Sequence, residues 1–210
     1  MTGRTTAQRL ELAATILLSV AAVATAWSSY QATRWNGEQA KDASATNAIR
    51  VEAARAQGQG LAETQVDVAT FIQWVDADAH DDGVLSDFYA DRFRDEFQPA
   101  FDAWLATDAL DNPEAPPTPF AMPEYQVAAT EQAADLDQDA EASAAEVRED
   151  IQRAGNYVLG VVLFAVALFF AGISTKLDSE RLRGVMLGIG YAIFLSALVW
   201  VATFPVSFAT

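Results

Sequence analysis

The chain has 210 residues, a formal net charge of −16 and 51% hydrophobic residues, and it contains no cysteine. The missing cysteine excludes disulfides, thiolate zinc sites and cysteine nucleophiles. Because the negative charge repels nucleic acid and anionic headgroups, we expect no nucleic-acid partner and favour cations or basic proteins.

The first recognisable element is an uncharged apolar run from Leu12 to Thr33, which follows Arg4 and Arg9. It exceeds the ~20 residues that cross a ~30 Å hydrocarbon core. We therefore predict an N-terminal tail and a first transmembrane helix over residues 1–33. Ala24-Thr25-Ala26 resembles a signal-peptide cleavage site, but the apolar run continues past it, so we favour an uncleaved anchor.

Residues 34–153 form the acidic part of the chain. They carry 8 basic and 26 acidic side chains, a net charge of −18. Such a segment is expected to lie in water, as an extramembrane α-helical domain. Its first part contains no proline up to Ala79 and is rich in helix formers, so we expect the first span to continue as a helix. Gly58 and Gly60 mark the expected kink or break.

The candidate metal ligands lie at the end of this helix: Asp76, Asp78, His80 and Asp82. From Asp78 the pattern resembles the start of a calcium loop, but its twelfth position is Tyr89, where a bidentate glutamate belongs. Asp76 and His80 stand one helical turn apart and could share a divalent ion. The alternatives are weak divalent-cation binding and a solvated acidic turn. Asp82 also predicts an N-cap for the next helix.

An aromatic stripe follows the turn. From about Val84 the sequence predicts a helix, which Pro99 should kink or restart. The stripe consists of Tyr89, Phe93, Phe97, Phe101 and Leu105 at four-residue spacing, with Phe88 and Trp104 beside them. This spacing places the stripe on one face of a helix. We expect that face to be part of the core rather than a ligand groove.

Two segments lead back towards the apolar end of the chain. The proline-rich connector, residues 107–123, is predicted to be extended, with Phe120 and Met122 pinning it against the helices; a disordered connector is the alternative. Residues 124–153 favour a helix whose small side chains recur at heptad spacing. We therefore predict an antiparallel coiled coil with the first helix, along Ala129, Ala133, Leu136, Ala140, Ala144, Val147, Ile151 and Ala154.

The last third predicts a membrane hairpin. Residues 154–175 and 184–210 are uncharged apolar runs, and residues 176–183 form a basic loop between them. They complete an all-α fold with three transmembrane helices. The third span carries a ladder of small side chains at four-residue spacing: Gly184, Gly188, Ala192 and Ser196. Small side chains permit the close approach of helices in lipid. The ladder packs either on the other spans of the chain or on another subunit.

The basic residues also predict the orientation. Arg4, Arg9 and the loop of residues 176–183 should lie in the cytoplasm. The acidic segment, residues 34–153, would then be extracytoplasmic in a multi-pass protein of the cell membrane. Six aromatic residues would lie near one interface, as in an aromatic belt: Trp27, Tyr30, Trp35, Tyr157, Trp200 and Phe204.

The stretch Trp27-Ser-Ser-Tyr-Gln-Ala-Thr-Arg-Trp35 resembles a group of uncharacterised bacterial membrane proteins with three spans. The resemblance extends through Phe120-Ala-Met-Pro-Glu-Tyr125 and the final hairpin. It implies the same three-span architecture with a helical outer segment. It implies no activity, cofactor or site residue.

The function predicted from these observations is non-enzymatic. We expect no catalytic residue and no cofactor, because His80 is the sole histidine and no nucleotide or nucleophile motif occurs. The leading hypothesis is a homo-oligomeric scaffold or a protein that binds a membrane or extracytoplasmic partner. The alternatives are an oligomeric cation channel with an acidic vestibule and a metal-dependent hydrolase at residues 76–82. No charged side chain lies within the three runs, which disfavours an ion path through them.

Overall fold

A computed structural model describes residues 2–110 and 112–208, with side chains from residue 6 onward. Within these residues the chain is all-helical, 80% helix, and has no strand. The side chain of Arg4 and the last predicted residue of the third span, Thr210, lie outside the described part. The elements are α1 (Thr2–Ala79), α2 (Gly83–Ala90), α3 (Gln98–Leu105), a 3₁₀ turn (Pro119–Ala121), α4 (Ala128–Ser174) and α5 (Glu180–Val201).

Three helices, α1, α4 and α5, are long and apolar enough to cross a membrane, judged by length and composition. They contain the first predicted run and most of the other two, and they are compatible with a multi-pass membrane protein. The helix α5 differs from the predicted 184–210 span at both ends. It begins inside the basic loop, at Glu180, and it ends at Val201, four residues before Pro205, whose missing N–H and fixed φ do not continue a helix.

The chain divides into two compact units. The terminal unit comprises Met1–Ser44 and Ser143–Thr210, and the central unit comprises Ala45–Ala142. Helices α1 and α4 contribute residues to both units, whereas α5 belongs to the terminal unit and α2 and α3 belong to the central unit.

The core of the terminal unit combines small residues with a few large ones. Alanines recur on the facing sides of its three helices and allow the backbones to approach closely. Phe164 and Phe194 fill the space between them, with ring centroids 5.6 Å apart. The buried residues are Ala14, Leu17, Ala21, Ala32, Tyr157, Phe164, Ala167, Ala171, Leu187, Phe194, Ala197 and Val201.

The core of the central unit consists of large rings. Phe71 and Trp74 on α1 stack on each other, with centroids 6.0 Å apart. Phe97 is fully buried, and its ring lies 5.1 Å from that of Phe120. Edge-to-face and offset contacts of this kind stabilise aromatic pairs beyond the area they bury. The buried set is Phe71, Trp74, Phe93, Phe97, Phe101 and Trp104.

The predicted aromatic helix is two helices in the structure. Turns separate α2 from α3 over residues 91–97, and Pro99 lies in the first turn of α3, where a missing N–H costs no hydrogen bond. Asp82 caps α2, because its side chain accepts a hydrogen bond from the N–H of Leu85 at 3.1 Å. This break between α2 and α3 allows one core to form from Phe93, Phe97, Phe101 and Trp104, whereas Leu105 stays 38% exposed.

The proline-rich connector packs against the aromatic core. The Trp104 indole N–H donates to the Pro116 carbonyl at 2.8 Å. Phe120, in the 3₁₀ turn, contacts Phe71 with ring centroids 5.7 Å apart. Ring burial, rather than regular backbone hydrogen bonding, holds this segment in place.

Helices α1 and α4 also pack together within the central unit. Gly58 and Gly60 lie inside α1 without a break. A Cβ at Gly60 would overlap the Thr130 side chain and lie 3.1 Å from its backbone nitrogen. This glycine therefore serves a close approach of two helices. Ala129, Ala133 and Ala140 are buried along α4, and the coiled coil stays a prediction.

Candidate functional site

The four candidate metal ligands lie in exposed positions at the end of α1 and in the turn before α2. The Nδ1 atom of His80 is 2.7 Å from the backbone oxygen of Asp76 and 3.7 Å from its carboxylate Oδ1. The Asp82 carboxylate is engaged as the cap of α2. Over residues with described side chains, no group of three or more His, Cys, Asp or Glu is arranged to hold a metal ion. The structure joins only Asp76 and His80, and divalent-cation binding stays a prediction.

The small-residue ladder lies on the outer side of α5. Gly188, Ala192 and Ser196 are exposed, and Gly184 is half-buried. A Cβ at Gly184 or Gly188 would meet no atom within 4 Å. These two glycines therefore make no close contact with the other spans of the chain, and the choice between the two alternatives for the whole ladder stays a prediction.

A second face of α5 makes the contacts inside the terminal unit. A Cβ at Gly190 would lie 3.3 Å from both the Ala167 oxygen and Leu17 Cδ2, and 3.4 Å from Phe170 Cβ. On α4, Gly160 is similarly close to Val201, 2.8 Å from its Cγ2 atom. Neither position leaves ordinary van der Waals space for a Cβ, and spacing in the sequence did not separate Gly190 from the ladder.

A shallow apolar groove of about 480 Å³ runs beside the ladder. It is bounded by α4 on one side and by α5 on the other. Two ladder residues, Ala192 and Ser196, contribute to its wall together with Leu163, Ile193, Ala197 and Trp200. The ladder and the groove thus form one continuous apolar surface, which we call the α5 face.

The segment after α5 is tied to α1 and α4 by hydrogen bonds that the sequence analysis did not predict. Gln31 is fully buried. Its side chain accepts from the Ser207 N–H at 3.0 Å and donates to the Ser207 carbonyl at 3.2 Å. The Tyr157 hydroxyl donates to the Pro205 carbonyl at 3.0 Å, and Arg34 Nη2 donates to the Phe208 carbonyl at 3.3 Å. We call residues 203–208 the C-terminal strap.

Two residues of the predicted aromatic belt, Tyr157 and Trp200, contact Phe204 of this strap. The Phe204 ring lies 4.8 Å from the Trp200 ring and 5.6 Å from the Tyr157 ring, measured between centroids. Trp27 and Tyr30 are 6.0 Å apart on α1. Proline at position 205 was the only signal in the sequence that the last apolar run does not remain helical to its end.

An acidic pocket of about 410 Å³ also lies in the terminal unit. Arg153 donates to Asp150 and to Glu149 at 2.8 Å each, and its guanidinium lies 4.8 Å from the centre of the Trp35 ring. Burial, followed by a hydrogen bond with the Asp42 carboxyl group, raises the pKa of Asp150, and Arg153 opposes this. The lining is Trp35, Glu38, Asp42, Glu146, Glu149, Asp150, Arg153 and Ser207.

The pocket is predominantly anionic, because five carboxylate side chains face one guanidinium. It attracts positive charge, and burial lets Asp150 keep its proton to a higher pH than an exposed aspartate does, because its pKa is raised. Its lining holds one hydroxyl side chain, that of Ser207, and no histidine. The pocket therefore offers electrostatics rather than an evident catalytic arrangement.

Comparison of the sequence and the fold with known proteins returned no matching family model, no matching curated protein and no matching solved structure.

Proposed function

We propose that the chain is a non-enzymatic membrane-spanning protein that associates with copies of itself through the α5 face. The single observation that carries the proposal is the outward position of Gly184, Gly188, Ala192 and Ser196 on a helix long and apolar enough to cross a membrane.

Association between helices in lipid relies on close van der Waals packing, since lipid tails are as apolar as the side chains they cover. Small residues permit that packing because they let two backbones approach. The other side of α5, with Gly190 and Phe194, already serves the chain's own core. The ladder is a second surface of small residues, and a Cβ at its two glycines would meet no other atom within 4 Å.

The mass of the protein in detergent tests this proposal. Gly188→Leu should convert the oligomer into a monomer, because the added side chain separates the two backbones. The matched control is Gly155→Leu on α4, where a Cβ also meets nothing within 4 Å; it should leave the mass unchanged. A wild-type protein that is a monomer at every concentration, or a Gly188→Leu variant with wild-type mass, would contradict the proposal.

The proposed orientation places residues 34–153 outside the cell and the loop of residues 176–183 in the cytoplasm. The positive residues near the ends of the spans support it. Because the chain has no cysteine, single cysteines report sidedness directly. An impermeant maleimide added to intact cells should label Gln138→Cys and leave Asp178→Cys unlabelled until lysis. The reverse pattern would invert the topology.

The oligomeric cation channel is a second candidate, favoured by the acidic pocket. Carboxylates at a membrane surface raise the local concentration of cations. A pore would have to form between copies, because apolar side chains such as Leu17, Phe164 and Phe194 fill the middle of the terminal unit. Recording in planar bilayers tests it: cation-selective openings that disappear in Gly188→Leu would favour the channel, and silence at all voltages would remove it.

The hydrolase alternative gains no support from the turn before α2, since only Asp76 and His80 approach each other there. Metal measured with and without His80→Ala tests the divalent-ion prediction: binding that the variant loses would favour it, and equal binding would exclude these ligands.

A further inference from the structure

A buried aspartate in the central unit stands at the junction of three segments. Asp67, on α1, is fully buried. Its Oδ2 atom accepts a hydrogen bond from Arg94 Nη1 at 2.8 Å and another from the Tyr125 hydroxyl at 3.1 Å. Arg94 belongs to the turns between α2 and α3, and Tyr125 lies between the 3₁₀ turn and α4. Asp67 therefore ties two irregular segments to α1.

These ties hold the aromatic core closed. Phe93 and Phe97 flank Arg94 in the chain, and both are buried. The Tyr125 ring packs against Phe97 and Phe120, at centroid distances of 5.9 and 5.1 Å. Any change in the bonds of Asp67 acts directly on segments that carry core rings.

The charges around Asp67 do not balance. Arg94 Nη2 bonds Glu63 at 2.9 Å and also bonds Glu96, so one guanidinium serves three carboxylates. The remaining neighbour is Thr64, whose Oγ1 lies 3.3 Å from the Tyr125 hydroxyl. Among the described residues, these are the charged and titratable groups that face Asp67 from α1, from residues 91–97 and from residues 122–127.

One oxygen of Asp67 has no partner. Its Oδ1 atom is buried and makes no hydrogen bond. A buried carboxylate oxygen without a donor is costly when it bears charge and far less costly when the group is protonated. The geometry thus favours the neutral acid, although Arg94 and Tyr125 on Oδ2 favour the anion.

We propose that Asp67 is a proton-binding switch that tightens the central unit when the surroundings become acidic. The proton occupies the unpartnered Oδ1 atom, while Oδ2 keeps its bonds to Arg94 and Tyr125. Proton uptake removes one of three negative charges around a single guanidinium and removes the cost of a buried, unsolvated anion. This inference concerns the central unit alone and holds on either side of a membrane.

The direction of the pKa agrees with this geometry. Burial raises the pKa of Asp67 above 3.8, and Glu96 adds to the increase, whereas Arg94 and Tyr125 oppose it. A carboxyl with a raised pKa in the folded state binds its proton more tightly there than in the unfolded state. Its contribution to stability is therefore complete below pH 3.8 and is lost as the pH rises through the folded pKa.

Hydrogen exchange of the full-length protein in detergent tests the switch. Amides of residues 91–97 and 122–127 should become more protected as the pH falls from 7 through the folded pKa of Asp67 towards 3.8, after correction for intrinsic exchange rates. The gain is up to about tenfold for each unit by which folding raises the pKa. Asp67→Asn should abolish this dependence, whereas Asp135→Asn, an exposed aspartate of α4, should retain it.

A second variant keeps the test decisive if Asp67→Asn does not fold. Glu96→Gln removes a neighbouring negative charge, so the change in protection should move to lower pH. Wild-type protection that is constant or falls on acidification would overturn the proposal. So would an Asp67→Asn variant with wild-type pH dependence, or a Glu96→Gln variant whose transition stays at the wild-type pH.

Discussion

The terminal and central units solve the same packing problem with different side chains. In the terminal unit, alanine and glycine bring helices together, and Gly160 and Gly190 have almost no space beside them. In the central unit, six large aromatic residues fill the core. Because α1 and α4 contribute to both units, the difference lies in the side chains rather than in the type of element.

This comparison teaches how each unit depends on its residues. A core of rings concentrates much of its buried area in a few side chains, so one truncation removes a large part of it. A core of small residues spreads its contacts along the backbone, so enlargement is what disrupts it. The two units should therefore fail under opposite kinds of substitution.

The largest expected effect is truncation in the central unit. Phe97→Ala should lower the free energy of unfolding by about 3–5 kcal/mol, because Phe97 is fully buried and contacts five other rings, those of Phe71, Phe93, Phe101, Phe120 and Tyr125. Near-ultraviolet circular dichroism during denaturant unfolding measures the loss. Phe88→Ala, at a ring that is 47% exposed, is the control, and equal losses in both would refute the importance of ring burial.

The converse substitution should matter in the terminal unit. Gly190→Leu should destabilise it by about 1–3 kcal/mol, since even a Cβ would lie 3.3 Å from the Ala167 oxygen. Thermal unfolding in detergent measures the effect. Gly172→Leu is matched, because a Cβ there meets nothing within 4 Å; a similar loss in both variants would show that the close contact at Gly190 is not the cause of the destabilisation.

Side-chain hydrogen bonds should contribute less to the free energy of unfolding than either kind of packing. Gln31→Leu removes both bonds to Ser207, and at about 1 kcal/mol for each bond it should cost ~2 kcal/mol at most. We expect faster hydrogen exchange in the C-terminal strap, measured by mass spectrometry. Thr33→Val, at an exposed position on the same helix, serves as the reference, and unchanged exchange in Gln31→Leu would mean that the strap does not depend on this side chain.

The smallest effect concerns charge in the acidic pocket. The pKa of Asp150 is raised by burial above 3.8, so the folded terminal unit holds the proton more tightly than the unfolded chain. The stabilisation should be complete below pH 3.8 and decline as the pH rises through the folded pKa. Asp150→Asn should flatten the dependence of the unfolding temperature on pH, while Glu146→Gln, exposed in the same pocket, should not. A steeper dependence in Asp150→Asn would reverse the assigned sign.

The sequence allowed the helices to be predicted because their signals are local. Charge-free runs, caps and prolines act over a few residues, and the all-helical architecture with three long apolar helices follows from them. The ends were less accurate where tertiary contacts decide them. The strap leaves the helix because Pro205 has no N–H for the regular helical bonding and because Gln31 and Tyr157 form hydrogen bonds with the backbone of Ser207 and Pro205 instead.

The sites depend on residues that are distant in the chain. Asp67 meets Arg94 across 27 positions and Tyr125 across 58, and nothing in its local sequence separates it from the other carboxylates. The ladder was visible as spacing, but Gly188 and Gly190 look alike in the sequence although they face different surroundings. Only the packing of the helices distinguishes them.

The pairing of Gln31 with Ser207 has a consequence for how the protein is made. The two residues are 176 positions apart, and a ribosome adds roughly 5–20 residues per second. At that rate, roughly 10–35 s pass between the synthesis of Gln31 and the synthesis of Ser207. During that time the Gln31 side chain needs water or another donor and acceptor, so we expect the part of α1 around Gln31 to stay hydrated in the nascent chain until Ser207 has been translated.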